Sequence, residues 1–476
     1  MNETRETAKK KKRKFKKIIT LILLITLLIF FSTIFYINII PIFYTVLLLI
    51  LCLFLTFGIA LLNFSKKRIL RLAGYLISVL FIAIIIFIEI YLFNTLGFLF
   101  NVTDGDYTLK TYNVLVLKDR NTNELADLDN KKIGINETVT DNSLEKVQKK
   151  LNKKIDVQYK GCDDSQALVK AIISEEVSAI ILESSEMNLL KEQDKDKYES
   201  LDCIYQIEIK NDITDLKAAV NINKEPFSIY ISGIDTYGKI NSSSRSDVNM
   251  VVTVNPKEEK ILITWLPRDY YISINNSSYK DKLTHAGIYG VDSSIYAVEN
   301  LLDLDINYYV KVNFTSIIEI VDLLGGITIY NEEEFTSVDG VYFEKGNINL
   351  NGYETLHYVR ERKNLSGGDL SRGANQIKVL KTLINKAMSP SIIKTYNKLL
   401  NSLNGAFVTN MNHTTMLGFI RKEIQSPRNW QIDSTMLQGT NSYEYTYTYK
   451  NHALYVMVPN EDSIIEAKNK INELKN

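Results

Sequence analysis

From Ile18 to Phe64 the chain carries no charged residue. A helix needs about 20 apolar residues to cross the hydrocarbon core, so this run holds two crossings, Ile18–Ile37 and Ile42–Leu62, broken at Asn38 and Pro41. A third apolar run, Leu72–Leu99, contains one charge, Glu89. After Asn101 the pattern changes. Short β-rich runs at Tyr112–Leu117, Lys132–Ile135 and Ser178–Leu182 alternate with helical spacing at Asn142–Leu151 and Asp164–Ser174. Asp163 and Asp164 stand where a helix cap belongs. This order predicts a small α/β unit with parallel pairing.

A further region opens after Asn223. Phe227–Ser232, Val248–Val254 and Ile261–Leu266 read as strands, the last two joined by the polar turn Asn255–Lys260. Val291–Leu302 and Phe314–Leu324 read as amphipathic helices that make core or line a cavity. A helix is expected over Arg372–Met388, with Asp369 as its N-cap. Four regions result: a basic tail (1–17), three membrane helices (18–100), an α/β accessory domain (101–222) and a C-terminal domain with its extension (223–476).

Charge sharpens the picture locally. The formal net charge of +1 over 476 residues gives no reason to expect a nucleic-acid partner. The basic run Lys9–Lys17 and the loop Lys66, Lys67, Arg68 and Arg71 belong on the cytoplasmic side, and three crossings then export everything after Asn101. A cleaved signal peptide does not fit three successive spans. Glu89 is either functional or paired within the bundle. Cys162 and Cys203 lie in one exported segment, where they could pair or remain thiols. Four histidines without ligand spacing argue against zinc.

Candidate chemistry lies in the C-terminal region. Asp235 and Asp247 flank a Ser- and Gly-rich loop at strand ends, and two carboxylates with phosphate oxygens and water suit Mg²⁺. Arg245 and Arg268 add forked donors for phosphate. In His357–Lys363, an extended strand would put Arg360 and Arg362 on one face, with Glu361 opposite. Arg372 and Gln376 share a face near a helix N-terminus, itself an anion site. Each of these residues has an ordinary alternative as a turn, cap or solvated ion pair.

Taken in order, the motifs resemble the LytR–CpsA–Psr family of cell-wall proteins. They are G-I-D at Gly233–Asp235, S-R-S-D at Ser244–Asp247, P-R-D at Pro267–Asp269, K-L-T-H-A at Lys282–Ala286, V-D-L-L-G-G at Val321–Gly326, Y-V-R-E-R at Tyr358–Arg362 and G-D-L-S-R-G-A-N-Q at Gly368–Gln376. Asn375 stands where many members have an arginine, and Gly290–Val291 where a pair of glycines is commoner. The resemblance implies an α-β-α sandwich enclosing a polyprenyl-phosphate lipid. It implies Mg²⁺ on Asp235 and Asp247, and a diphosphate gripped by Arg245, Arg268, Arg360, Arg362 and Gln376, with Asp369 and Arg372 completing the pocket.

The activity so implied is a phosphotransferase that carries an anionic or capsular glycopolymer, such as a teichoic acid, from undecaprenyl diphosphate to a peptidoglycan hydroxyl. Asp247 or Asp235 would be its base. A polyprenyl-diphosphate hydrolase and a lipid-binding sensor are the alternatives, and a transcriptional regulator conflicts with the topology. The accessory region loosely resembles one lobe of an extracellular solute-binding domain, and serves as spacer or sensor.

Overall fold

The computed structural model describes residues 2–37, 42–102, 107–120, 122–137, 142–212, 220–234, 240, 244–274, 279–388, 407–426, 428–449 and 452–476. Three N-terminal helices, α1 (Asn2–Ile37), α2 (Ile42–Phe64) and α3 (Arg68–Val102), are each long and apolar enough to cross a membrane. Leu23, Leu27 and Phe31, spaced by helical turns on α1, pack with Ile59 of α2 and Ile85 of α3. The few polar groups in the bundle find one another. Asn63 donates to Ser78 at 3.0 Å, and the Thr33 hydroxyl donates to Glu89 Oε1 at 2.5 Å. Glu89 is thus paired inside the bundle. The Asn38–Pro41 break lies outside the described residues.

The part after α3 begins with a five-stranded sheet. Its strands are β1 (Tyr107–Leu117), β2 (Lys132–Asn136), β3 (Gln158–Cys162), β4 (Ala179–Glu183) and β5 (Leu201–Asp212), in the order β3-β2-β4-β1-β5. Helices α4 (Ser143–Leu151), α5 (Ser165–Ile173), α6 (Ser184–Gln193) and α7 (Lys195–Glu199) connect them. The parallel pairing expected from the strand–helix alternation holds for β2 with β3 and with β4, whereas β1 runs antiparallel to β4 and β5. Alternation sends Val114 and Val116 to one face with Val147 and Leu151 of α4, and Leu115 to the other with Leu168 and Ile172 of α5. With both faces covered, β4 is buried at every position. Asp164 caps α5 by accepting from the Ala167 N–H at 2.8 Å.

Cys162 and Cys203 are free thiols. They sit on β3 and β5, the two edges of the sheet, about four strand spacings or roughly 19 Å apart, beyond disulfide reach.

The second sheet carries the candidate chemistry. Its central meander is β6 (Phe227–Ile234), β7 (Ser246–Asn255) and β8 (Lys260–Leu266), followed by a small hairpin, β9 (Tyr271–Ser273) and β10 (Lys280–Lys282). Next come α8 (Leu283–Tyr289), α9 (Val291–Leu302), β11 (Tyr308–Val312) and α10 (Phe314–Leu323). Two short ribbons, β12 (Ile327–Asn331) with β15 (Gly346–Leu350) and β13 (Phe335–Thr336) with β14 (Tyr342–Phe343), lead into α11 (Gly352–Arg360) and α12 (Asp369–Ala387). Last are β16 (Phe407–Thr409), α13 (His413–Gln425), β17 (Gln431–Met436), the hairpin β18 (Gly439–Glu444) and β19 (Leu454–Pro459), and α14 (Glu461–Lys475). The sheet order is β16-β11-β6-β7-β8-β17, and α13 groups with α1–α3 instead of with this sheet.

Alternation divides the sheet into two faces. Tyr230, Val251 and Leu262 pack with α8, α9 and α14 in one core. Ile231, Met250 and Trp265 face the other way, toward α10–α12. The result is a mixed α/β chain with an α-β-α layered C-terminal part. Of the two helices expected to line a cavity or make core, α9 makes core and α10 lines a cavity.

Candidate active site

A cavity of ≈ 370 Å³ opens between β6–β8 and α10–α12. Ile231, Met250, Val312, Ile317, Val379 and Leu383 make its apolar wall, and Asp247, Arg268, Arg360, Arg362, Arg372 and Gln376 also line it. Six of the nine residues singled out in the sequence therefore share one cavity. Asp235, next after β6, lies outside the described residues. Arg245 does not line the cavity, and its Nη2 donates to the Tyr449 hydroxyl at 3.4 Å.

Local structure explains how the arginines arrive there. Arg360 and Arg362 do not share a strand. Asn351 and Glu354 form a reciprocal capping box that starts α11, and Leu356 and Val359 recur at helical spacing toward the cavity. Arg360 is the last residue of that helix and Arg362 follows the bend. Glu361, expected to point away, is buried at the bend and accepts N–H groups of Arg362, Asn364 and Val338 at 2.9, 3.0 and 2.6 Å. Its carboxylate fixes the turn between the two cations. The Arg360 guanidinium stacks 4.2 Å from the Phe314 ring centroid.

The start of α12 also differs from expectation. Gly368, at φ 56°, is the N-cap, and Asp369 is the first helical residue. Left-handed φ favours glycine at that point. Placing Asp369 and Arg372 in the first turn puts both on one face, with Arg372 Nη2 2.5 Å from Asp369 Oδ1. That contact is an ion pair without hydrogen-bond alignment, because neither Asp369 oxygen, nor Arg372 Nε or Nη2, makes a hydrogen bond. Gly373 lets α12 approach β8, since a Cβ there would lie 2.5 Å from the Trp265 ring. Gln376 is engaged on both sides, accepting from Trp265 Nε1 at 2.9 Å and donating to the Val359 carbonyl at 3.2 Å.

Charges alternate through the cluster. Arg268 donates to Asp247 Oδ2 at 2.8 Å, and Thr284 donates to Asp247 Oδ1 at 3.1 Å. Arg268 Nε lies 3.7 Å from Asp269, which accepts from Lys282 at 2.9 Å. Burial opposes the Arg268 charge, but Asp247, Asp269 and Asp369 outweigh it and raise its pKa. Burial would also raise the Asp269 pKa, yet Lys282, Arg268 and Arg372 hold it below the ordinary value. At Asp369 burial prevails and the pKa rises. Burial likewise lowers that of Arg372. The sequence reading gave no role to Asp269, Lys282 and Thr284 individually, although P-R-D and K-L-T-H-A contain them.

Among the described residues no group of three His, Cys, Asp or Glu side chains is arranged to hold a metal ion alone. Asp247 on the cavity wall is a hard-oxygen donor beside fixed guanidinium groups, and its expected partner Asp235 lies outside the described residues. Such a set suits Mg²⁺ that brings phosphate oxygens as its remaining ligands.

Comparison with known proteins agrees with the order of the motifs. The model of the LytR_cpsA_psr family matches residues 190–471. The polyisoprenyl-teichoic acid–peptidoglycan teichoic acid transferase TagU of Bacillus anthracis is 37% identical over 210 residues, covering 44% of this chain and 68% of its own. That of Enterococcus faecalis is 36% identical over 204 residues, covering 42% and 67%. Among solved structures, Bacillus subtilis TagV is 29% identical over 53% of this chain and 97% of its own, with a TM-score of 0.44. A structure described as TagT bound to LI-WTA is 27% identical over 54% and 94%, with a TM-score of 0.43.

Proposed function

Because this chain belongs to the LytR–CpsA–Psr family, we propose that it is a membrane-anchored transferase that moves an anionic or capsular glycopolymer from an undecaprenyl-diphosphate carrier to peptidoglycan. The names of the relatives support polymer transfer to peptidoglycan as the reaction class. One observation in the site carries the rest. Arg372 is 5% exposed, and two of its guanidinium nitrogens make no hydrogen bond in the wall of a cavity whose remaining surface is largely apolar. A buried guanidinium whose Nε has no acceptor and whose one anionic neighbour is Asp369 favours a further anion, and the apolar wall favours a lipid tail attached to it.

In this reading the isoprenoid chain lies along Met250, Ile317 and Leu383, and its diphosphate meets Arg268, Arg360, Arg362 and Arg372. A peptidoglycan hydroxyl attacks the sugar-side phosphorus. The new P–O bond forms as the bond to the polyprenyl phosphate breaks, and the hydroxyl proton passes to a carboxylate. Asp369, with its raised pKa, suits that proton better than Asp247, whose oxygens are taken by Arg268 and Thr284. Phosphoryl transfer needs positioning and charge neutralisation more than covalent help, which fixed guanidinium groups supply. Asp235 and Asp247 would hold Mg²⁺, which adds further neutralisation of the diphosphate when bound. With three crossings and the basic segments inside, as the positive-inside rule favours, the cavity would lie outside the cell, where the acceptor is.

The test is transfer by the purified full chain in lipid nanodiscs, given a lipid-linked glycopolymer and uncrosslinked peptidoglycan. The expected result is a phosphodiester-linked product with release of polyprenyl phosphate. Release of free phosphorylated polymer alone, with no wall-linked product, would replace this reading with hydrolysis.

A further inference from the structure

The run Tyr443, Tyr445, Tyr447 and Tyr449 places a tyrosine at every second position, and nothing in the arginine cluster accounts for it. Tyr449 turns inward and is buried, while Tyr443 and Tyr445 are 72% and 63% exposed. Tyr443 on β18 pairs in register with Tyr455 on β19, so both rings stand on one face, with centroids 6.1 Å apart at 77°. Next to them, Tyr271 donates its hydroxyl to the Tyr445 carbonyl at 2.8 Å, and Tyr279 is 68% exposed.

The strip starts at Lys282, whose partner Asp269 adjoins Arg268 of the cavity wall. Lys282, which bridges to Asp269, also lies 5.7 Å from the Tyr455 ring centroid. Asp269, Asp369 and Arg362 all act electrostatically on the Tyr455 hydroxyl. From there the rings lead outward over Tyr443 and Tyr445.

Composition tells what such a strip can hold. Among the described residues of 270–280 and 439–455, every exposed large hydrophobic side chain is a tyrosine. A surface that inserts into lipid presents Leu, Phe or Trp, which are absent from these exposed positions. The tyrosines are interleaved with hydrogen-bonding groups, including Asn441, which accepts from Tyr455 at 2.9 Å, and Glu444. A pyranose ring presents patches of C–H on its faces and hydroxyls at its edge. Aromatic faces with a polar handle match both.

We infer that this tyrosine strip is the docking surface for the acceptor glycan, seating successive sugar rings so that a terminal or internal hydroxyl reaches the Asp369–Arg362 edge of the cavity. The inference rests on the transfer reading for its biological meaning, but the binding it requires can be measured without transfer.

The experiment titrates the full chain in nanodiscs with a soluble N-acetylglucosamine oligosaccharide as probe. Affinity falls about five-fold for each ring removed in Tyr443→Ala and Tyr445→Ala. Tyr330→Ala, an exposed tyrosine on β12, leaves it unchanged. With a lipid-linked donor, the acceptor KM rises by the same factor while the donor KM does not move. Oligosaccharide affinity equal to wild type in both variants, or none in the wild type, overturns the strip. Loss of oligosaccharide binding in the variants, from a wild-type protein that transfers nothing, leaves the strip standing and removes the transfer reading.

Discussion

Arg372 and Asp369 lie one helical turn apart with 2.5 Å between Nη2 and Oδ1, yet Arg372 Nε and Asp369 Oδ2 make no hydrogen bond. A pair built only for stability would be expected to close those bonds. This one is incomplete without a ligand. Arg372→Ala should lower transfer by about 10²–10³ in kcat, the usual effect of removing one preorganised donor to developing charge. Steady-state kinetics with a thermal-melt control checks it, and a loss below tenfold in a folded variant would remove Arg372 from the reaction.

Asp269 predicts a pH dependence. Its folded pKa lies below the ordinary 3.8, held there against burial by Lys282, Arg268 and Arg372. Such a group contributes stability above its unfolded pKa and loses it as pH falls through the folded one. Asp269→Asn should therefore lower Tm at pH 7, consistent with a cost of about 3–5 kcal/mol for breaking a buried pair. The difference from wild type should shrink below about pH 4. Melts at the two pH values decide it, and an equal gap at both would contradict the ion-pair account.

Gln376→Ala leaves the buried Trp265 indole N–H without its acceptor. A lost buried acceptor costs about 1–3 kcal/mol, so Tm should fall by several degrees. Gln376→Glu keeps the acceptor for the indole but loses the donor to the Val359 carbonyl, and should recover only part of it. Equal Tm for Gln376→Ala and wild type would show that the indole finds another partner.

Phe314→Leu removes the ring under Arg360 while keeping an apolar side chain. The stacking is worth about 0.5–1 kcal/mol at an open site. The donor KM should rise about two- to five-fold. A donor KM unmoved by the substitution would mean that the guanidinium is oriented by other contacts.

The membrane helices were legible because their signal is local: a run without charge needs no tertiary partner to be recognised. The meander β6–β8 was legible for the same reason. The helical identity of α11 was not. Arg360 and Arg362, two apart around Glu361, read as one face of a strand, and only the capping box at Asn351 and Glu354, upstream of the motif, reveals the helix. Side-chain partners were the least visible. Arg268 meets Asp247 across 21 residues, Trp265 meets Gln376 across 111 and Arg245 meets Tyr449 across 204. The motifs named most of these residues but could not say which would touch. Arg245 was grouped with the other arginines by its motif, and the fold gave it a tyrosine instead.

One register has a mechanical consequence. Tyr107, which opens β1, is paired with Asp212, which closes β5, so the chain enters and leaves the five-stranded sheet at the same corner. The five-stranded unit is thus inserted into the chain with its two ends adjacent. Changes inside that sheet leave the spacing of its two ends untouched, so the unit is free to diverge in sequence without disturbing the chain on either side of it.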